Sequence, residues 1–205
     1  MRGQALEKTR RRGLADNVHF LRNMIAAPRV TGAVAPSGRA LARAMAQAAG
    51  SAPRGLIVEL GPGTGPVTHA LIERGIAPER IVSIEYDGGF ATKLRARFPS
   101  INVVRGDAYD LAGSLANHKG APIAAFVSSL PLLNETPARR EKLVNDAFAL
   151  MGGDGVFVQF TYGFLSPIPL ECCSGRYSAR HGRAIWLNIP PARVWTYRRE
   201  PAHGC

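Results

Sequence analysis

Three glycines at alternate positions, Gly61, Gly63 and Gly65, stand in the stretch LIVELGPGTGPVTHAL (56–71), and a carboxylate, Glu59, precedes them by two residues. An apolar run leads in. A helical pattern leads out, opened by Pro66, whose missing N–H costs nothing in a first helical turn. Glycines at such a junction permit a tight turn and let a ligand approach the backbone closely. A dinucleotide fingerprint reads G-x-G-x-x-G. Here the spacing is G-x-G-x-G, and a pyrophosphate beside Glu59 would be repelled. A nucleoside with positive charge and no phosphate is welcome there, and S-adenosylmethionine, with its ammonium and sulfonium, is one.

Two later acids agree. Glu85 closes the second apolar run, 20 residues beyond Gly65, where a carboxylate can accept both ribose hydroxyls. Asp107 follows the third run in RGDA, placed to meet the adenine amino group. Carboxylates at strand ends are often merely solvated, but three at successive strand ends form a pattern.

The elements that must position these acids are legible. GLIVEL (55–60), RIVSIE (80–85), INVV (101–104), IAAFVS (123–128) and VFVQFT (156–161) read as buried strands. Helical patterns fall between them at about 65–74, 89–97, 110–117 and 137–151, and PSGRALARAMAQAA before the first strand is a helix with Ser37 as its N-cap. Strands alternating with helices predict an α/β fold, a twisted parallel sheet with helices on both faces.

Composition narrows the partners. The 205 residues suit one domain with a full core. The formal charge of +11 favours an anionic partner, nucleic acid or an acidic membrane surface, over a basic surface kept for solubility. Cys172, Cys173 and Cys205 offer neither a disulfide framework nor metal-ligand spacing, so a reducing, cytoplasmic setting and no metal are expected. The longest uncharged runs are too short and proline-broken to span a bilayer, and no secretory signal is visible, which predicts a soluble or peripheral protein.

With these motifs, residues 36–162 resemble the class I S-adenosylmethionine-dependent methyltransferases, whose Rossmann-like fold has a seven-stranded sheet ending in an antiparallel pair. RAIWLNI (183–189) and RVWTYRR (193–199), joined by Pro190–Pro191, read as that closing hairpin. The resemblance implies that the glycine loop contacts the methionine part of the cofactor and the acid after the second strand its ribose. The cofactor contacts carried over are Glu59, Gly61, Gly63, Thr64, Gly65, Glu85, Tyr86, Asp107, Ala108, Ser128, Ser129 and Leu130. S-adenosylhomocysteine is then the product.

After the fourth strand comes SSLPLLN (128–134), the position that faces the transferred methyl in this fold. The ribosomal RNA adenine dimethyltransferases are similar in ELGPGTG, IEYD and GDA. They place N-L-P-Y here, a polar residue for the amine and an aromatic to stack the base. This chain has Ser129 and Leu132 instead. A second family resembles nearly the whole chain, the bacterial phospholipid N-methyltransferases of the soluble, peripheral type. The specific segments are FLRNMIAAPRVTGAVAPSGRALARAMA, SSLPLLN, VQFTYG (158–163) and NIPPARVWTYRR (188–199), while the cysteine pair in PLECCSG departs from the pattern. The resemblance implies methylation of phosphatidylethanolamine and its mono- and dimethyl forms toward phosphatidylcholine. Two alternatives stand beside it: an rRNA adenine N6-dimethyltransferase, and a non-catalytic binding protein of the same fold.

Residues 1–28 form a separate unit ahead of a methyltransferase domain at 29–205. At 100° per residue Leu14, Val18, Leu21 and Ile25 share one face, widened by Phe20 and Met24, with seven Arg and Lys against two acids in residues 1–29. Such a basic amphipathic helix lies in an anionic bilayer interface, or packs on the domain as a lid. FLSPIPL (164–170) is a second apolar stretch, lipid-facing or buried under the hairpin, and Arg176, Arg180 and Arg183 are candidates for a lipid phosphate. Tyr177, Tyr162 and His181 are the candidate catalytic groups, with Tyr177 preferred as an orienting hydrogen-bond partner on the acceptor side. The expected setting is cytoplasmic and peripheral on the inner membrane, with a phospholipid rather than nucleic acid as partner.

Overall fold

Short apolar runs bounded by turn residues become strands here, and the inner ones are buried on both faces, as parallel strands between helical layers must be. The computed structural model describes residues 36–50, 54–152, 155–169, 177–187 and 191–200. The amphipathic segment 1–28, Arg176 and the three cysteines lie outside the described residues. Helix α1 (Pro36–Ala48) leads into β1 (Leu56–Leu60), α2 (Pro66–Glu73), β2 (Ile81–Glu85), α3 (Gly88–Arg97) and β3 (Asn102–Arg105). Then come α4 (Leu111–Ser114), β4 (Ile123–Ser128), α5 (Pro137–Met151), β5 (Val156–Thr161), β6 (Tyr177–His181) and β7 (Arg193–Arg199).

The strands form one seven-stranded sheet in the order β3-β2-β1-β4-β5-β7-β6. Strands β1 to β5 are parallel, and β7 runs antiparallel to both β5 and β6. Alternate residues serve two cores. Ile57, Ile81, Val127 and Val158 belong with Met45 of α1, Leu71 of α2 and Leu94 of α3. Val58, Leu60, Val82, Phe126 and Phe157 belong with Leu111 of α4 and with Leu143 and Phe148 of α5. Each such side chain contributes about 1.5–3 kcal/mol by leaving water. The helices following β2, β3 and β4 start on side-chain caps. Asp87 accepts from the Phe90 N–H, Asp110 from Gly113 and Thr136 from Arg139, each worth about 1 kcal/mol.

Register across the sheet defines its working end. Leu60 pairs Ser128, Ser128 pairs Gln159, Gln159 pairs Trp195, and Trp195 pairs His181. This row marks the carboxyl ends of β1, β4, β5 and β6. Chain order reverses at β1, which has β2 on one side and β4 on the other. Open α/β sheets bind ligands in the crevice at such a switch point.

Two local expectations are corrected. The antiparallel partner of β7 is Tyr177–His181, not 183–189; among the described residues of the latter only Ile185 is bridged, to Ala192. Tyr177 and Ala179 belong to the core under α5, and Tyr177 stacks on Phe148 at 5.3 Å, whereas Trp186 and Leu187 are exposed. A strand running into Pro190 and Pro191 also lacks the N–H groups a ladder needs. At the other end of the chain α1 begins at Pro36, one residue before the expected cap position at Ser37. Proline suits that first position.

Gly65 shows how tightly the glycine turn is built. Its φ is 81°, and a Cβ there would stand 2.6 Å from Phe98 Cε2 and 2.7 Å from Leu94 Cδ1. Gly65→Ala therefore combines a left-handed backbone with overpacking against α3 and should lower stability by about 2–4 kcal/mol. Urea unfolding of the two proteins measures it; a midpoint equal to the parent's would show that the turn is not held against α3.

Candidate active site

The turn after β1 is held from three sides. The Gly61 N–H donates to the Ile84 carbonyl at 3.0 Å, the Gly63 N–H to Glu85 Oε2 at 3.0 Å, and Arg97 Nη1 to the Thr64 carbonyl at 2.8 Å. Gly61, Gly63 and Gly65 all have positive φ, 67°, 57° and 81°, which glycine adopts without steric cost. Their surroundings differ. A side chain on Gly61 would press on Leu130 at 3.0 Å, while one on Gly63 would meet nothing within 4 Å. Gly63 is thus the point at which the turn's backbone opens to a ligand.

Beneath the turn, Glu59 is wholly buried. Its Oε2 accepts from Thr68 Oγ1 at 2.5 Å and from Ser83 Oγ at 2.9 Å. Its Oε1 is buried with no hydrogen-bond donor among the described residues. Burial pushes this carboxyl up to about 7, against the pull of the two hydroxyls. An orphaned carboxyl oxygen next to an open glycine turn suits a ligand that brings a cation, as the loop spacing implied.

Glu85 is nearly buried, and both of its oxygens already hold backbone: Oε2 the Gly63 N–H, and Oε1 the Asp87 N–H at 2.9 Å. Each oxygen keeps a second lone pair, so ribose hydroxyls can still donate to it. Tyr86, beside it, is exposed. Asp107 is exposed, and its Oδ1 accepts from the Tyr109 N–H at 2.9 Å, while Ala108 is buried. Tyr109 was not anticipated. Arg139 lies 4.1 Å over its ring, and burial, with Glu135 nearby, pushes its phenol up to about 12, so it keeps its proton.

On the other side of β1, Ser128 and Ser129 are buried. The Ser129 N–H donates to the Leu60 carbonyl at 2.9 Å, and Ser128 Oγ accepts from the Leu130 N–H. Gln159, the neighbour of Ser128 on β5, donates through Nε2 to the Leu130 carbonyl at 3.0 Å and to the Phe160 carbonyl at 2.8 Å. Its Oε1 is buried with no donor among the described residues. Gln159 was also not anticipated, although a lone amide in an otherwise apolar strand is a legible signal. Leu132, at the base-stacking position of the adenine enzymes, is packed in the core.

The three catalytic candidates separate. Tyr177 pairs Arg199, four residues before His181 on β6, at the opposite end of the strand from the Ser128–His181 row. It is a buried core residue stacked on Phe148, so its preferred assignment as an orienting group on the acceptor side is corrected. Tyr162 follows the carboxyl end of β5, edge-on to Phe160. His181 is exposed at the carboxyl end of β6, 4.8 Å from the Trp195 ring. Arg180 and Arg183 are exposed nearby in sequence. Among the described residues no cluster has the makings of a metal site.

No family profile matches the chain. It is 35% identical over 114 residues to an ornithine lipid N-methyltransferase of Singulisphaera acidiphila, 52% of this chain and 57% of that one. It is 30% identical over 107 residues to ribosomal RNA small subunit methyltransferase A of Chlorobium chlorochromatii, 52% of this chain and 40% of that one. The chain therefore spans about half the length of the curated relatives it matches. The O-methyltransferase of Bacillus cereus, solved in complex with SAH, superposes with a TM-score of 0.56 at 16% identity, over 91% of this chain and 90% of that one. The fold is the class I methyltransferase fold. The open Gly63 backbone, the orphaned Glu59 oxygen and the acids after β2 and β3 fit S-adenosylmethionine, the cofactor of that class.

Glu59 makes binding depend on pH. In the free protein the carboxyl is protonated up to about 7, against 4.5 unfolded, so its contribution favours folding at low pH and is lost as pH rises through that window. A cationic ligand favours the ionised form. Affinity for S-adenosylmethionine should rise between pH 5.5 and 7, with proton release, and level off above. Calorimetric titrations in buffers of different ionisation enthalpy measure both, and Glu59→Gln should flatten the profile. A parent profile already flat would mean that Glu59 only braces the turn.

Proposed function

We propose that this chain, a class I S-adenosylmethionine-dependent methyltransferase, methylates the amine of a membrane lipid headgroup. Phosphatidylethanolamine and its mono- and dimethyl forms are the substrates proposed, leading toward phosphatidylcholine. The observation that carries this reading is the wall after β4. Ser129 and a core-packed Leu132 stand where an adenine enzyme needs an amide and a stacking aromatic, so a flipped base would find no π partner there. The name of the Singulisphaera relative, an N-methyltransferase acting on the amine of a lipid, supports the same acceptor class. A basic amphipathic segment at 1–28 supports a peripheral position on an anionic membrane.

S-adenosylmethionine supplies the activated methyl group. The chain's own part is to orient and to desolvate. The turn at Gly61–Gly65, with Glu59 below and Glu85 beside it, holds the cofactor. Ser128, Ser129 and the Leu130 carbonyl, itself held by Gln159, form the polar floor toward which an amine is directed. With the cofactor bound, the headgroup amine would attack as its free base, N–C forming as S–C breaks, once its ammonium proton has passed to solvent. Tyr162 and His181, both at the carboxyl ends of their strands, are the remaining candidates to relay it.

The second reading, an RNA adenine acceptor, draws on the relative from Chlorobium and on the charge of +11. One assay separates them. Radiolabelled S-adenosylmethionine is offered vesicles of phosphatidylethanolamine with an anionic lipid, vesicles containing ornithine lipid, or structured ribosomal RNA. Label in methylated phosphatidylethanolamines is expected. Label in ornithine lipid alone would move the headgroup, and label in RNA alone would overturn the lipid reading.

Deleting residues 1–27 should weaken binding to anionic vesicles, most at low salt, because screening shortens the reach of the basic segment. Vesicle sedimentation across ionic strength checks this. Equal binding at every salt would remove the anchor.

A further inference from the structure

FLSPIPL divides. Phe164 and Leu165 are 77% and 83% exposed, while Ile168 is completely buried. The loop is built to hold that contrast. Ser166 Oγ donates to the Ile168 carbonyl at 2.6 Å and meets the Tyr197 hydroxyl at 2.8 Å, and Arg140 Nη1 holds the Pro167 carbonyl at 2.7 Å. Its base is pinned to α5 and β7, and its tip carries two large apolar side chains into solvent.

Three more exposed apolar residues stand at the same end of the sheet. Leu133, in the turn after β4, lies 3.9 Å from where a Cβ on Gly163 would be. Arg193 lies 5.3 Å over the Phe164 ring, and its neighbour Ala192 is bridged to Ile185, next to Trp186 and Leu187. Trp186 and Leu187 are about as exposed as Phe164. Leu133, Phe164, Leu165, Trp186 and Leu187 thus run along one rim, beside the carboxyl ends of β4 and β5 where the acceptor wall stands. Exposed apolar groups collected in this way mark an interaction surface.

Charge identifies what the rim meets. From Tyr162 to Arg199 the sequence holds six arginines and a single acid, Glu171; Arg193 lies over the Phe164 ring, and Arg183 stands three residues before Trp186. Tryptophan, phenylalanine and leucine ringed by arginine suit the headgroup layer of an anionic bilayer.

We propose that this rim docks into the interface of an anionic lipid bilayer, its five apolar side chains inserted and the arginines on lipid phosphates. The mouth of the acceptor site then opens onto the membrane rather than onto solvent. The proposal rests on the lipid reading of the site but adds a second contact, separate from residues 1–28.

Trp186 reports on it directly, since the chain has two tryptophans and the other, Trp195, is buried. The full chain is mixed with phosphatidylglycerol vesicles whose acyl chains are brominated. Blue-shifted Trp186 emission quenched by the bromines is expected, and a weaker response with phosphatidylcholine. The variant F164S/L165S/W186S/L187S should partition at least about tenfold less onto the anionic vesicles, with its far-UV dichroism and S-adenosylhomocysteine affinity retained. Unquenched emission from vesicle-bound protein, or an unchanged partition coefficient, would overturn the proposal. So would loss of self-association in place of vesicle binding, which would assign the rim to a second copy. The two readings fail separately. A parent chain that docks but methylates no lipid keeps the rim and loses the substrate, whereas one that methylates detergent-dispersed lipid without inserting Trp186 keeps the substrate and loses the rim.

Discussion

A fully buried carboxyl group, Glu59, is the constraint on which the cofactor end of this molecule depends. Removing it from solvent is costly unless donors replace the lost water. Thr68 brings one from α2 and Ser83 one from β2. Those two hydrogen bonds therefore join three elements at the level of the glycine turn. Glu85 completes the fastening from the next strand by taking the Gly63 N–H. The turn is gripped from below and from the side, and its free face is the backbone at Gly63. A cradle of acids braced in this way can bind a cationic nucleoside with little rearrangement of the turn.

The acceptor end is organised by a different force. Strand order reverses at β1, which separates the loops after β1 and β4 and leaves a crevice between them. Ser128 and Gln159 are adjacent in the register row, and the Gln159 amide ties down the Leu130 carbonyl, so the wall after β4 is set by a bond from β5. The antiparallel β7 then carries the sheet outward, and the loops around it reach past the strand ends. The wall after β4 and the apolar rim share one end of the sheet because both are built from connections leaving the carboxyl ends of β4, β5 and β6. The far end is packing, and there Tyr177 lies against Phe148.

Much of this was legible beforehand. The five parallel strands followed from short apolar runs at regular spacing, and the acids at the ends of those strands from the same runs, because both signals are local. The closing hairpin was not. Tyr177–His181 carries three charged or titratable residues in five and gives a weak strand signal, while RAIWLNI looks more apolar. Pairing with β7 and burial under α5 decided between them, and both are contacts with distant residues.

The sequence by itself determined the α/β class, the glycine turn and the acids that serve it, since each depends on neighbours a few residues away and on the fixed periods of helix and strand. Only the tertiary structure decided that Glu59 keeps an oxygen unpartnered among the described residues, that Gln159 braces the wall, that Tyr177 belongs to the core, and that Phe164, Leu165, Trp186 and Leu187 stand in solvent. The reason is physical. Burial and hydrogen-bond partnership are properties of the space around a side chain, and that space is filled by residues remote in the chain.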